Sequence, residues 1–478
     1  MARPGPKGGQ YCPLTQAQIL QVHQASLTVL ARTGVHVEHA AARDLYRQGG
    51  ARVDGHRVFI SEEMVKTALD SAPSRVLLAG RDPANDVLLE GKRVYAGTGG
   101  SPTMMLDPGA DTVRPATLDD LRQMTALVDA LPNCDFVVMP VYPTDVPEEL
   151  APVNRFYACL TNTTKHVMGG VGTTEGARQI VALGILLAGS LEALQARPLV
   201  SAITSWMVSP LHLDTVVTDI LLTWCSYGLP VALSAAPMAG STAPVTLAGS
   251  LVQLNAEQLS GIVLTQLARP GTPVLAGYIP GVADMRSGGY LGGTVEFGMM
   301  QAAAAQMAHF YGVPIYCSGG MSDAKLPDAQ AGYEKMATFL LAALGGGNYI
   351  HHAIGMVTNM SAASLEGAVI DDEIVGMAMR ALRGIEVTEE TLATEAIDRV
   401  GPGGHFLMDP LTLQFMRSEF FRPRVADRQN RASWEAEGKR DTRVRACARV
   451  TELLSRPRQV GLPAEVDVAI RARFPILP

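Results

Sequence analysis

The sequence predicts an α/β fold: a (β/α)8 TIM barrel with a helical N-terminal region and a helical C-terminal appendage. Three observations predict it. Eight short apolar segments recur between residues 93 and 353 at roughly 30–40-residue intervals. Helical character follows the segments before the next begins. The segments are near-continuous apolar runs rather than alternating ones, as expected of parallel strands covered on both faces.

Residues 1–92 read as a helical region with short strands. Ile19, Leu20, Val22, Leu27, Leu30 and Val35 form an imperfect helical stripe. Ser61 is a candidate N-cap for a helix over Glu62–Asp70. RVLLAG and DVLLEG read as short strands. The barrel is assigned to residues 93–404, with strands RVYAG (93–97), DFVVMP (135–140), KHVMGG (165–170) and LVSAIT (199–204). It continues with PVALSAAP (230–237), PVLAGY (273–278), VPIYCSG (313–319) and NYIHHA (348–353). Helices are predicted over Leu118–Leu131 behind Thr117, Gly176–Ser190, Leu213–Tyr227, Ala248–Ala268, Val295–Tyr311 and Ala329–Leu344. A doubly wound open sheet is the competing fold. Against it, no strand is followed by G-x-G-x-x-G or G-x-x-x-x-G-K-[ST].

The appendage, residues 405–478, differs in character. Residues 417–448 hold nine Lys/Arg and five Asp/Glu, a net +4 in a protein of net charge -7. This segment is either a solvated helical surface or a docking face for an acidic partner. The acidic balance of the whole chain excludes a general nucleic-acid or anionic-membrane surface. The six cysteines are scattered, with no CxxC or metal-ligand spacing, which fits reduced thiols in a cytoplasmic protein. The N-terminus has no apolar core of a signal peptide, and the apolar run Ile180–Gly189 is far short of the about 20 residues a membrane span needs. That run and residues 337–344 would suit a buried contact in a homo-oligomer.

Reactive groups of such a barrel sit at the C-terminal ends of its strands. Gly345–Gly347 precede their strand and read as a helix stop rather than a phosphate loop. The same rule promotes Tyr142, Ser205, Trp206, Met238, Tyr278, Asp284, Met285, Arg286, Asp323, Lys325, Asp328, His351 and His352. Trp206 could wall a pocket and hold a cation on its ring face, or close the barrel top as a core residue. His351 and His352 are adjacent, so within a strand only one can look into the barrel. No H-x-H, H-x-x-H or H-E-x-x-H accompanies them, and no metal is expected. Lys325 could form a Schiff base, as in barrel aldolases, or an ion pair with Asp323 or Asp328.

At VPIYCSGGMSDAKLPDAQAGYEK (313–335) the chain resembles the trimethylamine methyltransferase (MttB) superfamily. SAAPMAGSTAPVTLAG (234–249), the 284–314 stretch and NYIHHAIGM (348–356) extend the resemblance. So does the tail pattern of Asp427-Arg428, Trp434, Gly438, Asp441 and Arg445-Ala446. The resemblance implies a barrel that moves a methyl group from a methylated amine to the cobalt of a separate corrinoid protein. Founding members carry pyrrolysine near the loop after the seventh strand and act on trimethylamine. This chain has standard residues only, which points to relatives that demethylate quaternary amines such as glycine betaine, proline betaine or carnitine.

The implied chemistry needs a box for a cation and a grip for a betaine carboxylate. Trp206, Tyr142 and Tyr278 are candidate rings, Asp323 or Asp284 the anion, and Arg286 the carboxylate grip. His351 is a further candidate in the substrate pocket. Asp323, Lys325 and Asp328 are the candidates nearest the methyl donor. The chain lacks D-x-H-x-x-G, the mark of a corrinoid-binding domain, so the corrinoid is expected on the partner. Three other readings stand beside this one. They are a homologue acting on another methylated amine, a barrel lyase or aldolase using Lys325, and a non-catalytic betaine-binding paralogue.

Overall fold

The computed structural model describes residues 4–458 and 460–478. Eight parallel strands form one sheet: β1 (Tyr95–Ala96), β2 (Phe136–Val138), β3 (His166–Gly169), β4 (Val200–Thr204), β5 (Val231–Ala235), β6 (Val274–Tyr278), β7 (Ile315–Ser318) and β8 (Tyr349–His351). They are ordered β1-β8-β7-β6-β5-β4-β3-β2. A parallel bridge between Gly97 and Phe136 joins the two ends and closes the barrel. All eight predicted strands are present.

A helix follows every strand. These are α1 (Leu118–Asp129), α2 (Ala151–Leu160), α3 (Thr174–Ala188), α4 (Thr215–Ser226), α5 (Leu247–Ala268), α6 (Val295–Tyr311), α7 (Ala329–Gly345) and α8 (Leu365–Arg383). Local chemistry sets their ends. Thr117 and Asp120 form a reciprocal capping box for α1. Asp214 caps α4, which starts two residues later than the predicted Leu213. Gly346, at φ +88°, ends α7, so Gly345–Gly347 are a helix stop.

Two cores follow from strand alternation. Along β6, Leu275 and then Ile279 point inward, while Val274, Ala276 and Tyr278 point out to the helices. A hairpin of Arg75–Leu78 and Val87–Glu90 plugs the barrel at the N-terminal ends of the strands. Its Val76, Leu78, Val87 and Leu89 pack with inner residues such as Tyr95, Phe136 and Tyr349. His166, at the start of β3, fastens this plug: its ring nitrogens lie 3.1 Å from the Ala79 carbonyl and 2.6 Å from Ser201 Oγ.

The N-terminal helices Gln16–Thr28 and Glu62–Ser71 pack on α5. In the tail, Thr442–Leu454 packs on α8 and α1, and Ala464–Arg473 on α3. The recurring tail residues tie the tail together: Arg445 pairs with Asp427 at 3.5 Å and donates through Nε to the Val425 carbonyl at 2.7 Å, and Trp434 Nε1 donates to the Arg440 carbonyl at 3.1 Å. The apolar runs expected at a subunit contact have neighbours within the chain. α3 is partly covered by Ala464–Arg473, and α7 lies between α6 and α8.

Candidate active site

A cavity of about 650 Å³ opens at the C-terminal ends of β2, β3 and β4. Tyr142 follows β2, Gly170–Thr173 follow β3, and Ile203–Ser205 end β4. The second turn of α2 supplies Arg155 and the first turn of α3 Glu175, and Glu148 and Glu149 lie just before α2. Ser205, Gly172 and the three glutamates are exposed, so the cavity faces solvent at a carboxylate-lined edge.

Arg155 is the unusual residue here. It is 6% exposed. Its Nη1 donates to the Gly170 carbonyl and its Nη2 to Ser101 Oγ, both at 3.3 Å. The guanidinium carbon lies 4.4 Å from the centre of the Tyr142 ring. Nε has no hydrogen-bond partner, and Arg155 makes no ion pair among the described residues. Burial pulls its pKa below the ordinary arginine value.

A second polar group fills the inner barrel at β7, β8 and the β1 loop. His351 Nδ1 lies 2.6 Å from the Cys317 carbonyl, which can only accept. Nδ1 therefore carries the proton, leaving Nε2 as an acceptor. The His351 ring stacks 4.0 Å from Tyr316 and lies 3.6 Å from His352. His352 Nδ1 is 2.8 Å from Ser318 Oγ. Burial, and for His351 also its imidazole neighbour, hold both rings neutral; His352 is pulled down to about 3.

The alternation expected of these two histidines holds only inside a strand. β8 ends at His351, and His352 turns to φ +65°, so the two rings meet. Gly99 permits the pair: a Cβ there would sit 2.8 Å from the His352 ring and 2.9 Å from the His351 ring.

The other predicted residues are dispersed. Tyr142 lines the cavity, as does Ser205. Trp206 is fully buried on the outside of the barrel, its ring so close to α5 that a Cβ on Gly261 would meet it at 2.5 Å. It is one residue out of phase with Ile203 and Ser205. Tyr278 is also outward, donating to Asn255 Oδ1 at 2.8 Å. Asp284 and Arg286 pair with each other in a surface turn, where Arg286 is 92% exposed. The Arg286 backbone and side-chain N–H groups hold the Asp284 carboxyl below its usual range.

The three residues expected nearest the methyl donor are engaged in the loop itself. Asp323 accepts the backbone N–H groups of Gly292 and Gly293 at 3.1 and 3.2 Å. Lys325 is exposed and donates to the Asp323 carbonyl at 2.6 Å, rather than pairing with a carboxylate. Asp328 caps α7 by accepting the Ala331 N–H at 3.0 Å. The buried charge of this segment is instead Lys335, within α7, paired with Asp371 at 2.6 Å.

Sequence reasoning missed Arg155. Its signal was a lone cation in the otherwise apolar and neutral run VNRFYACL just after β2. One trio among the described residues, His36, Glu38 and His212, could offer metal ligands, with ligand atoms within 4.8 Å of one another. It lies on a peripheral sheet and does not line the cavity.

The chain matches the model of the trimethylamine methyltransferase (MTTB) family over residues 4–474. A glycine betaine methyltransferase of Desulfitobacterium hafniense (strain Y51) is 35% identical over 466 residues, covering 97% of this chain and 96% of that protein. A trimethylamine methyltransferase MttB of Methanosarcina thermophila is 35% identical over 462 residues, covering 95% and 94%. The solved monomethylamine methyltransferase (MtmB) of Methanosarcina barkeri superposes with a TM-score of 0.51 at 12% identity, covering 96% of each chain, and so shares the fold. By the family match and these relatives, the chain belongs to the trimethylamine methyltransferase family.

Proposed function

We propose that this protein transfers a methyl group from a quaternary amine, glycine betaine or a related betaine, to the Co(I) corrinoid of a separate protein. The observation that carries the reading is the chemistry of the cavity at the strand ends. Its edge carries the carboxylates of Glu148, Glu149 and Glu175; among its described lining residues the one cation is Arg155, against the Tyr142 ring, with no His, Cys or Lys. Carboxylates at an open edge suit an ammonium ion. A quaternary nitrogen leaves as a neutral amine, so the transfer needs no general acid. What the protein must do is bind, orient and exclude water.

The corrinoid supplies the nucleophile when its carrier docks. This chain offers it no built-in site by the usual mark. Asp54 and His56, the nearest approach to that motif, belong to the small hairpin of Arg52–Asp54 and Arg57–Phe59, where His56 stacks 5.4 Å from His36. The cavity's open edge lies at the strand ends, the side from which a carrier would approach. The names of two relatives, one for glycine betaine and one for trimethylamine, bracket the substrate. Standard residues in the 313–335 segment favour the betaine side.

The test is incubation with glycine betaine, carnitine, choline or trimethylamine, a cob(I)alamin source and the corrinoid protein, following methylcobalamin. Methylcobalamin from a quaternary amine and none from trimethylamine is the expected result. Tight betaine binding without transfer from any amine would overturn the enzyme reading.

A further inference from the structure

We infer that Arg155 is the carboxylate anchor of this cavity, so that its ligand is a zwitterion with an anionic tail rather than a simple methylated cation. The inference rests on reading the cavity as the methylated-amine site. A buried cation ordinarily has an anion beside it, because desolvation is otherwise uncompensated. Arg155 has none among the described residues. Its polar contacts are one carbonyl and one hydroxyl, both long at 3.3 Å. Its Nε is buried and unpartnered. A planar guanidinium offers five N–H donors in a fork that matches a carboxylate, and most of that fork is unused here.

The surroundings keep that fork in place. The Tyr142 ring covers one face of the guanidinium at 4.4 Å. Ser101, at φ +46°, donates its Oγ hydrogen to the Met139 carbonyl at 2.9 Å, leaving its oxygen lone pairs toward Arg155. The glutamates of the same cavity are not its partners: Glu148, Glu149 and Glu175 are exposed and form no ion pair with it. The cavity is therefore bipolar, with a buried positive group and an acidic edge. A tetraalkylammonium ion without an anion would meet Arg155 as a like charge. A betaine would place its carboxylate on Arg155 and its ammonium toward the glutamates. The carboxylate grip expected of Arg286, which is 92% exposed and paired with Asp284, falls to Arg155.

The test is ligand binding measured by calorimetry on the full chain without corrinoid, so it does not depend on methyl transfer. The probes are glycine betaine and tetramethylammonium. Wild type should bind the betaine more tightly. Arg155→Gln should weaken betaine binding by about 10–100-fold, the loss expected for a charge-assisted hydrogen-bonded pair, and leave or improve tetramethylammonium binding. Arg155→Lys should recover part of the betaine affinity. Equal loss for both probes, or no loss for betaine, would overturn the assignment. Should Arg155→Gln not fold, wild type decides with choline, which carries a hydroxyl in place of the carboxylate: equal affinity for choline and betaine would also overturn it. If binding behaves as expected while no amine gives methylcobalamin, the anchor stands and the proposed reaction falls.

Discussion

Asp328 shows how a rim residue can satisfy two readings until its hydrogen bonds are known. It stands past the end of β7, where catalytic groups of barrels lie. Its carboxylate accepts the Ala331 N–H and so starts α7. Asp328→Ala should cost about 1 kcal/mol of stability through loss of the cap, and Asp328→Asn, which caps as well, should cost little. Methyl transfer by Asp328→Asn should stay within about twofold of wild type. A folded Asp328→Asn enzyme slowed more than tenfold would return this carboxylate to the methyl donor. Parity explains the other residue-level departures. Chain position placed Trp206 and Tyr278 at strand ends, but not on which side of the sheet they fall. That follows from the phase of their neighbours, as with Ile203 and Ser205 facing the mouth beside Trp206. Arg155 was harder to see, because it reaches the cavity from a helix rather than from a strand end.

Among the elements, the strands were the most legible, since each is a short apolar run ended by Gly, Pro or a polar turn. A helix is expected after the strands, but the sequence pattern sets no bounds for α2 and α8. α2 is buried on nearly every side and so shows no apolar stripe. α8 carries Glu366, Asp371, Asp372 and Glu373 into the interior, which reads as a solvated face in sequence. Asp371 meets Lys335 there, a pairing across 36 residues that no local pattern announces. The plug hairpin was legible as two strands, but its place under the barrel depends on the distant partner His166. Burial pulls the His166 pKa from 6.5 to about 4. As pH falls below 6.5 the unfolded chain takes up this proton and the native protein does not. Stability from His166 is thus intact above pH 6.5 and is lost toward pH 4 at up to about 1.4 kcal/mol per pH unit. Denaturant unfolding at pH 7.5 and pH 5 should show a smaller fall for His166→Gln than for wild type, by about 2 kcal/mol. His351, His352 and Glu257 titrate in both proteins and cancel in the comparison. Parallel pH profiles would show that His166 is not what ties the plug to proton uptake.

At the scale of the molecule, the tail decides whether local positive charge is surface or interface. Part of it is tied to the barrel: Arg443 pairs with Asp111 at 2.9 Å and with the buried Glu366 at 3.2 Å. Asp111 follows the strand Met104–Leu106 in the β1–α1 connection, and Glu366 opens α8, so this contact carries the tail to the strand-end face of the barrel. Arg431, Arg440 and Arg445 have acidic neighbours within the tail itself. Arg428 and Lys439 are exposed and form no ion pair among the described residues; Arg417, also exposed, instead borders Pro132 and Asn133 at the N-terminal end of β2. Only such unpaired charges can steer a partner, since paired ones have little field beyond their own contact. If the corrinoid protein docks on this face, changing Arg428 and Lys439 together to Glu should raise its KM several-fold at low salt. The effect should shrink toward the wild-type value near 0.3 M salt, with kcat for the bound complex little changed. Arg443→Glu is the contrasting variant: it sets a carboxylate against buried Glu366 and should lower Tm rather than act through docking. A double variant whose KM at low salt equals that of wild type would make the tail a solvated surface and move the docking face elsewhere on the rim.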